Sequence, residues 1–151
     1  MLYSAWFQIA VGLSNADNLS IQDSLDVALN QMTKYALNSR VDTLIAEAYT
    51  ILGAFCENKA DFNNSLAYYY KALNFFERIH HKAGICMISE SIGVVYKQLF
   101  KVEETLMYLN IAHQYIDLPE IKVTYLPRRI YLNKSEIYLY AAILIPVITT
   151  S

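Results

Sequence analysis

The sequence predicts an all-α protein, a solenoid of antiparallel helix hairpins with about three repeats plus a partial fourth. Gly12, Gly53 and Gly93 recur at a nearly constant spacing, and a Ser/Thr-Leu pair follows each glycine at the same distance. A fixed period of this kind is typical of solenoids, in which each unit buries its apolar face against its neighbours. The chain has only 4 glycines and 3 prolines in 151 residues, which favours long helices over a turn-rich β architecture.

Composition and charge limit the class of protein. Residues 1–151 are expected to form a single domain, since the length suits one domain and 55% hydrophobic residues suffice for a core. The net charge of −2 gives no field that would attract nucleic acid or an anionic membrane, so neither is an expected partner. Cys56 and Cys86 lie in helical patterns and are expected to be buried free thiols in a cytoplasmic protein.

Both ends of the chain are apolar. The segment 1–12 has no Lys or Arg, so it is interpreted as the opening helix of the first repeat rather than a signal peptide. The run 137–149 is about 13 residues long and contains Pro146, whereas a membrane span needs about 20 apolar residues. With no second helix to cover it, this run predicts self-association through the C-terminal end or truncation of a longer protein.

Apolar residues at helical spacing predict seven helices, at about 2–16, 20–38, 43–57, 62–78, 83–99, 102–116 and from about 120 onward. Ser20, Asp42 and Asp61 are the predicted caps of the second, third and fourth helices, because their side-chain oxygens can accept the free backbone N–H groups of a first turn. Pro119 ends the sixth helix, and Pro127 is expected to strain the seventh.

Small residues recur where paired helices would cross. Gly53 on the first helix of the second repeat and Ser65 on its second helix would let the two helices approach closely. Ala72 and Ala112 would do the same against the first helix of the following repeat. The sequence therefore predicts hairpins whose crossing points tolerate no bulky side chain.

This pattern resembles the tetratricopeptide repeat, whose motif has Leu-Gly and an aromatic residue on the first helix and small, aromatic and Ala positions on the second. The second repeat carries the motif at Tyr49, Leu52, Gly53, Phe62, Ser65, Tyr69 and Ala72. The third carries it at Ile92, Gly93, Tyr96, Thr105 and Ala112. The first repeat has Asn15 and Gln31 at motif positions, and a fourth is indicated by Tyr131, Ser135 and Tyr138.

The resemblance implies a right-handed superhelix with repeats at about 2–38, 42–79 and 83–117 and a partial repeat at about 120–144. Its period of about 40 residues exceeds the 34 that are usual in the family. We expect the extra residues around 79–84, between one repeat and the next. Long-period repeats of this kind resemble those of kinesin light chains and of sensory regions in bacterial signalling proteins.

The function that the resemblance implies is an adapter that binds a protein or peptide in its concave groove. The predicted groove residues come from the first helix of each repeat: Trp6, Ile9, Leu13, Glu47, Thr50, Ala54, Glu57, Met87, Glu90, Val94, Lys97 and Gln98. An alternative interpretation is that these are ordinary solvated side chains. An alternative function is a sensory input domain of a histidine kinase or diguanylate cyclase, whose output domain lies outside this chain.

The sequence offers no pattern for catalysis, a cofactor or a metal. His80 and His81 are adjacent and would point apart on the chain, and no carboxylate or thiol follows them at helical spacing. Neither cysteine has an evident His or Asp partner, and no Gly-rich phosphate loop occurs. We therefore expect a protein that is not an enzyme and that carries no cofactor and no metal.

Overall fold

The described part of the chain is helical throughout. The computed structural model describes residues 8 and 19–148, with side chains for residues 8 and 24–143, and within these residues it has no strand. Its seven helices are α1 (Leu19–Ser39), α2 (Asp42–Asn58), α3 (Phe62–Arg78), α4 (Lys82–Gln98), α5 (Val102–His113), α6 (Pro119–Lys122) and α7 (Leu126–Ile148). The all-α prediction is confirmed for this part of the chain. Gln8 is helical, and the rest of the predicted opening helix lies outside the described residues.

The end of the chain differs from the prediction of one helix strained by Pro127. Two helices, α6 and α7, replace it, with residues 123–125 between them. Pro127 is the second residue of α7, where the backbone N–H of an ordinary residue would have no partner within the helix. The expected strain is therefore wrong, because the proline helps to begin a helix. Helix α5 also ends at His113, three residues before the predicted limit.

Residue contacts divide the chain into two compact units, one ending at Ile79 and the other beginning at His80. In the first unit, α1 packs on α2 through Leu25, Ala28, Leu29, Met32, Ala36 and Ala48. In the second unit, α4, α5, α6 and α7 share a core formed by Cys86, Ala112, Ile116, Ile121, Leu126 and Ile130. The single turn of α6 contributes Ile121 to this core, with 2% of its surface exposed.

One turn geometry recurs at regular intervals along the chain. Arg40, Ala60, His80 and Phe100 all have φ between 54° and 57°, the left-handed conformation that often ends a helix. After α2, the Asp61 N–H donates to the Cys56 carbonyl (2.9 Å), and after α4 the Lys101 N–H donates to the Tyr96 carbonyl (3.0 Å). These are the long hydrogen bonds of a Schellman motif. The repeated turn supports the internal repeat inferred from the glycines.

The length of the repeat has a different origin from the one predicted. Helices α2, α3 and α4 have 17 residues each, and three-residue connections at 59–61 and 79–81 separate them. The expected long connection around 79–84 is therefore wrong, because the extra residues lie in the helices. Helix α4 begins early since the His81 Nδ1 accepts the Gly84 N–H (2.8 Å) and caps it.

The predicted caps have different outcomes. Asp61 is the N-cap of α3, and its carboxylate accepts the Asn64 N–H at 3.3 Å, as predicted. Asp42 is wrong as a cap, because Val41 holds that position without a side-chain bond. Asp42 lies in the first turn of α2 instead, and its carboxylate pairs with Arg78 at 2.6 Å. Ser20 is also wrong as a cap, because α1 already includes Leu19 and Ser20 lies within the helix.

Both hairpins, α2–α3 and α4–α5, are closed around a glycine. A Cβ added at Gly53 would lie 2.5 Å from Cε1 of Tyr69, and one added at Gly93 would lie 3.0 Å from Cδ2 of Leu109. Ser65 and Thr105 are both fully buried at equivalent positions of the second helices. The close crossings predicted from the glycine spacing are therefore present in each unit.

Adding one methyl group at the first crossing should destabilise the protein. Ala normally stabilises a helix interior over Gly by about 1 kcal/mol. At Gly53 the new Cβ meets a buried ring, and overpacking of this kind costs about 1–3 kcal/mol. We expect Gly53→Ala to lower the free energy of unfolding by about 1–2 kcal/mol in urea titrations. Gly93→Ala should cost less, because the Leu109 side chain can shift; equal stability of Gly53→Ala and wild type would contradict the packing.

Relieving the left-handed turn should stabilise the protein. A residue with a Cβ at positive φ costs about 1 kcal/mol relative to Gly. We expect Ala60→Gly to raise the Tm by roughly 2–4 °C in calorimetry. The matched control is Ala67→Gly, an exposed position within α3, which should lower the Tm because Gly disfavours helix interiors. The same sign of change in both variants would show that the turn is not left-handed.

Candidate functional site

Two polar rows face each other across α4 and α7. Glu90 and Lys97 are seven residues apart on α4, and Arg129, Asn133 and Glu136 are spaced by four and three residues on α7. These spacings place each set on one face of its helix. Helices α4 and α7 pack together within the second unit, so the two rows meet.

Glu90 is the centre of this polar network. Its side chain is 1% exposed, and its carboxylate accepts from Arg129 Nε (3.1 Å), Arg129 Nη2 (2.5 Å) and Asn133 Nδ2 (3.1 Å). A buried carboxylate is tolerated only when it is paired and hydrogen-bonded, and the two-pronged arginine contact satisfies both oxygens. Burial alone would lower the pKa of the Arg129 guanidinium, but Glu90, with a smaller effect of Tyr125, raises it above its ordinary value. Arg129 therefore stays charged.

Lys97 continues the network toward the surface. Its Nζ donates to Asn133 Oδ1 (2.6 Å) and to Glu136 Oε2 (2.7 Å). The Lys97 side chain is 27% exposed and that of Glu136 is 63% exposed, so the network runs from a buried carboxylate to a solvated ion pair. Asn133 joins the two halves, because its amide donates to Glu90 and accepts from Lys97.

An apolar cavity lies at the solvated end of the network. It has a volume of about 180 Å³ and is lined by Lys97, Phe100, Glu136, Ile137 and Tyr140, which we call the α4–α7 cleft. The rings of Phe100 and Tyr140 form one wall, with their centroids 5.8 Å apart and their planes at 39°. Small-molecule pockets usually measure about 300–1,000 Å³. The cleft is therefore of a size to hold one side chain rather than a whole cofactor.

The predicted groove residues of α2 lie in the first unit. Glu47 is exposed, and Thr50 and Ala54 are half-buried; the Thr50 hydroxyl donates to the Ala46 carbonyl at 2.9 Å. Glu57 is half-buried, and its carboxylate accepts from the Tyr69 hydroxyl at 2.7 Å. Trp6, Ile9 and Leu13 lie outside the described residues.

The predicted groove residues of α4 have separate environments. Met87 is 44% exposed, Val94 is half-buried and Gln98 is exposed, but none of the three lines the cleft. Lys97 does line it, whereas Glu90 is buried and engaged by α7. The contact between α4 and α7 thus brings together Glu90 and Lys97 of the predicted set and leaves Glu90 no surface for a ligand.

Sequence reasoning missed the α7 side of the site. The predicted groove residues do not include Arg129, Asn133, Glu136, Ile137 or Tyr140. The reason is that the repeat motif in this segment was assigned to Tyr131, Ser135 and Tyr138. The sequence does contain a pattern from which this face of α7 could have been predicted. Polar residues at positions 129, 133 and 136 recur at helical spacing in a chain with few charges, which indicates a face with a polar partner.

Neither cysteine is an activated nucleophile. Burial, with a smaller effect of Glu90, raises the pKa of the Cys86 thiol from 9.0 to about 11, and its Sγ donates to the Ala112 carbonyl at 3.3 Å. Burial also raises the pKa of the half-buried Cys56. A thiol needs a lowered pKa to act as a nucleophile at neutral pH. Both free cysteines are therefore packing residues.

The described residues contain neither a cluster of metal ligands nor a membrane-spanning helix. Among the residues that the structure describes, no group of three or more His, Cys, Asp or Glu side chains could hold a metal ion. No helix within this part of the chain is both long and apolar enough to cross a membrane. His81 caps α4, and the ring of His113 meets that of Tyr131 edge-on at 5.2 Å.

Comparisons of the chain with protein-family models, with curated proteins and with solved structures found no match. The resemblance to tetratricopeptide repeats therefore stays a prediction that depends on the motif residues.

Replacing Arg129 alone should lower the free energy of unfolding more than replacing Arg129 and Glu90 together. Arg129→Met leaves Glu90 buried without its cation, and since the Arg129 side chain is 43% exposed we expect a loss of about 1–3 kcal/mol in the free energy of unfolding. We expect Glu90→Met/Arg129→Met to recover most of that loss, because apolar replacement of a buried pair is often neutral. Urea unfolding of the two single variants and the double variant measures the coupling. If the losses of the single variants simply add, Glu90 and Arg129 do not depend on each other.

Proposed function

We propose that the chain is a repeat solenoid of the tetratricopeptide kind that binds a peptide segment through one apolar anchor in the α4–α7 cleft. The observation that carries the proposal is the position of Phe100 in the wall of this cleft. The sequence predicts a groove along the first helix of every repeat. The proposal places the ligand instead in one cleft with five lining residues.

Phe100 is an unfavourable residue for the turn that it occupies. Its φ of 57° favours glycine, and 69% of its surface is exposed. An aromatic side chain at such a position gains little from the fold and strains the backbone. Backbone strain and exposed apolar surface that the fold does not use concentrate at functional sites. The same left-handed φ occurs at Arg40, Ala60 and His80, so a role in holding a ligand accounts for the exposed aromatic ring rather than for the turn.

The other residues of the cleft suit a ligand with one apolar side chain, which polar groups at the opening could orient. Phe100, Ile137 and Tyr140 provide apolar walls, and the paired Lys97 and Glu136 side chains lie at the same opening. Interfaces commonly have an apolar centre surrounded by polar groups, with most of the binding energy at a few buried anchors. A large aliphatic or aromatic residue would fill the cavity, and neighbouring peptide groups could reach the amino group of Lys97 or the carboxylate of Glu136.

The test is a selection of displayed peptides, about a dozen residues long, on the wild-type protein. The selected peptides should share one large apolar residue and bind with micromolar Kd values. Phe100→Gly should weaken their binding at least tenfold, since loss of an anchor wall typically costs more than about 1 kcal/mol. The same substitution should raise the Tm, because it relieves the left-handed turn, so a loss of binding cannot result from unfolding.

A matched control removes an exposed apolar side chain elsewhere. Met107 on α5 is 50% exposed and does not line the cleft, so Met107→Ala should leave peptide affinity unchanged. Selected peptides that bind Phe100→Gly as tightly as the wild type would show that the cleft is not the binding site.

A further inference from the structure

A second surface of α7 is exposed, although the ring of Tyr131 at its edge also meets that of His113 on α5. Eight residues at helical spacing are all exposed: Arg128, Tyr131, Leu132, Ser135, Tyr138, Leu139, Ala142 and Ile143, which we call the α7 outer face. Ile130 and Ile137, on the other side of the helix, are 0% and 3% exposed. The α7 outer face shares no residue with the α4–α7 cleft, so it is a separate surface.

The α7 outer face has the composition of a helix-pairing surface. Five of its side chains are large and apolar and are at least half-exposed, Leu139 at 64% and Ile143 at 60% among them. The pair Tyr131-Leu132 recurs seven residues later as Tyr138-Leu139, which is the heptad repeat of helices that pack side by side. Ser135 and Ala142 lie between these pairs and are small enough for another helix to approach closely.

The α7 outer face is complementary to the same face of a second helix that runs in the opposite direction. If two α7 helices run antiparallel and cross at Ser135, Tyr131 of one copy lies opposite Leu139 of the other, and Leu132 lies opposite Tyr138. Each aromatic ring then meets a leucine, and only the small Ser135 meets its own equivalent. A two-fold interface requires this kind of self-complementary patch.

Charge selects the antiparallel direction. In a parallel pair, Arg128 of one copy would lie beside Arg128 of the other, and like charges repel. In an antiparallel pair crossing at Ser135, the two arginines are about 21 Å apart, at about 1.5 Å per residue. Each would then lie beside the uncharged Ala142 of the other helix.

We propose that the α7 outer face binds a second copy of this chain as an antiparallel, two-fold dimer. The half-exposed Tyr131 and Tyr138 would bury about 100 Å² each, and Leu132, Leu139 and Ile143 bring the buried area to roughly 400 Å² per copy. Stable dimers bury about 800 Å² per partner. The dimer is therefore expected to be weak, at the low end of specific interfaces.

Sedimentation equilibrium from about 5 to about 500 µM tests whether the face is used. The wild type should change from monomer to dimer across this range, and Leu139→Arg should stay monomeric, with its apparent Kd raised at least tenfold. Met107→Arg places the same charge at a similarly exposed site on α5 and should dimerise like the wild type. A wild type that is monomeric throughout, or a Leu139→Arg that associates equally well, overturns the proposal.

Disulfide trapping tests the geometry. Ser135→Cys should form a covalent dimer on mild oxidation, because the two-fold axis places the two thiols together. Arg128→Cys should not cross-link to itself, but a mixture of Arg128→Cys and Ala142→Cys chains should. The wild-type chain, with the half-buried Cys56 and the buried Cys86, is the control for background cross-linking. Self-cross-linking of Arg128→Cys, or none for Ser135→Cys above background, overturns the antiparallel arrangement.

The two proposals have separable outcomes. Leu139→Arg lies outside the cleft and should leave peptide binding unchanged while abolishing the dimer. Phe100→Gly should do the reverse, because Phe100 lies outside the α7 outer face. A single variant that removed both activities would contradict the independence of the two surfaces.

Discussion

The contact of the Tyr69 ring with the backbone of Gly53 is the constraint on which the geometry of the first hairpin depends. The ring occupies the space of a missing Cβ, so α2 and α3 lie closer together than two ordinary helices can. That closeness lets the Tyr69 hydroxyl reach Glu57 at 2.7 Å and leaves three residues to reverse the chain between α2 and α3. A reversal this short uses a left-handed residue, and Ala60 takes that conformation. Gly93 and Leu109 repeat the arrangement in the second unit, with Phe100 in the turn.

A different interaction positions the helix that completes the candidate site. Apolar packing through Ile130 and Ile137 buries one side of α7 but tolerates small rotations. The Glu90 carboxylate restricts them, because a rotation of α7 would break its hydrogen bonds with Arg129 and Asn133. The orientation of α7 that results places Glu136 beside Lys97 and Tyr140 beside Phe100, and these contacts form the cleft. The network contributes orientation more than stability, as buried ion pairs often do.

The sequence predicted what depends on local spacing. The helices, the close crossings at Gly53 and Gly93 and the cap at Asp61 all follow from patterns within one repeat or between neighbouring repeats. The division of the last segment into α6 and α7 was missed, because Pro127 can either strain one helix or begin another, and the choice depends on Ile121 entering the core. The cleft was missed for a related reason. Its walls come from α4, from the turn after it and from α7, and their meeting depends on the pairing of Glu90 with residues 39 and 43 positions away.

At both proposed surfaces the sequence has residues that are unfavourable for their position in the fold. An aromatic residue at a left-handed position and a row of exposed apolar residues on a helix both cost stability or solubility, and folding alone gives no reason to keep them. At the crossings of the described hairpins and at the N-cap of α3, by contrast, the small residues and the carboxylate agree with their environments. Helix α7 adjoins both exceptions. One side packs on the core, a second meets the α4 network and the cleft, and a third remains apolar in solvent. On these two proposals the peptide and the second copy would contact different sides of α7, because the cleft and the α7 outer face share no residue.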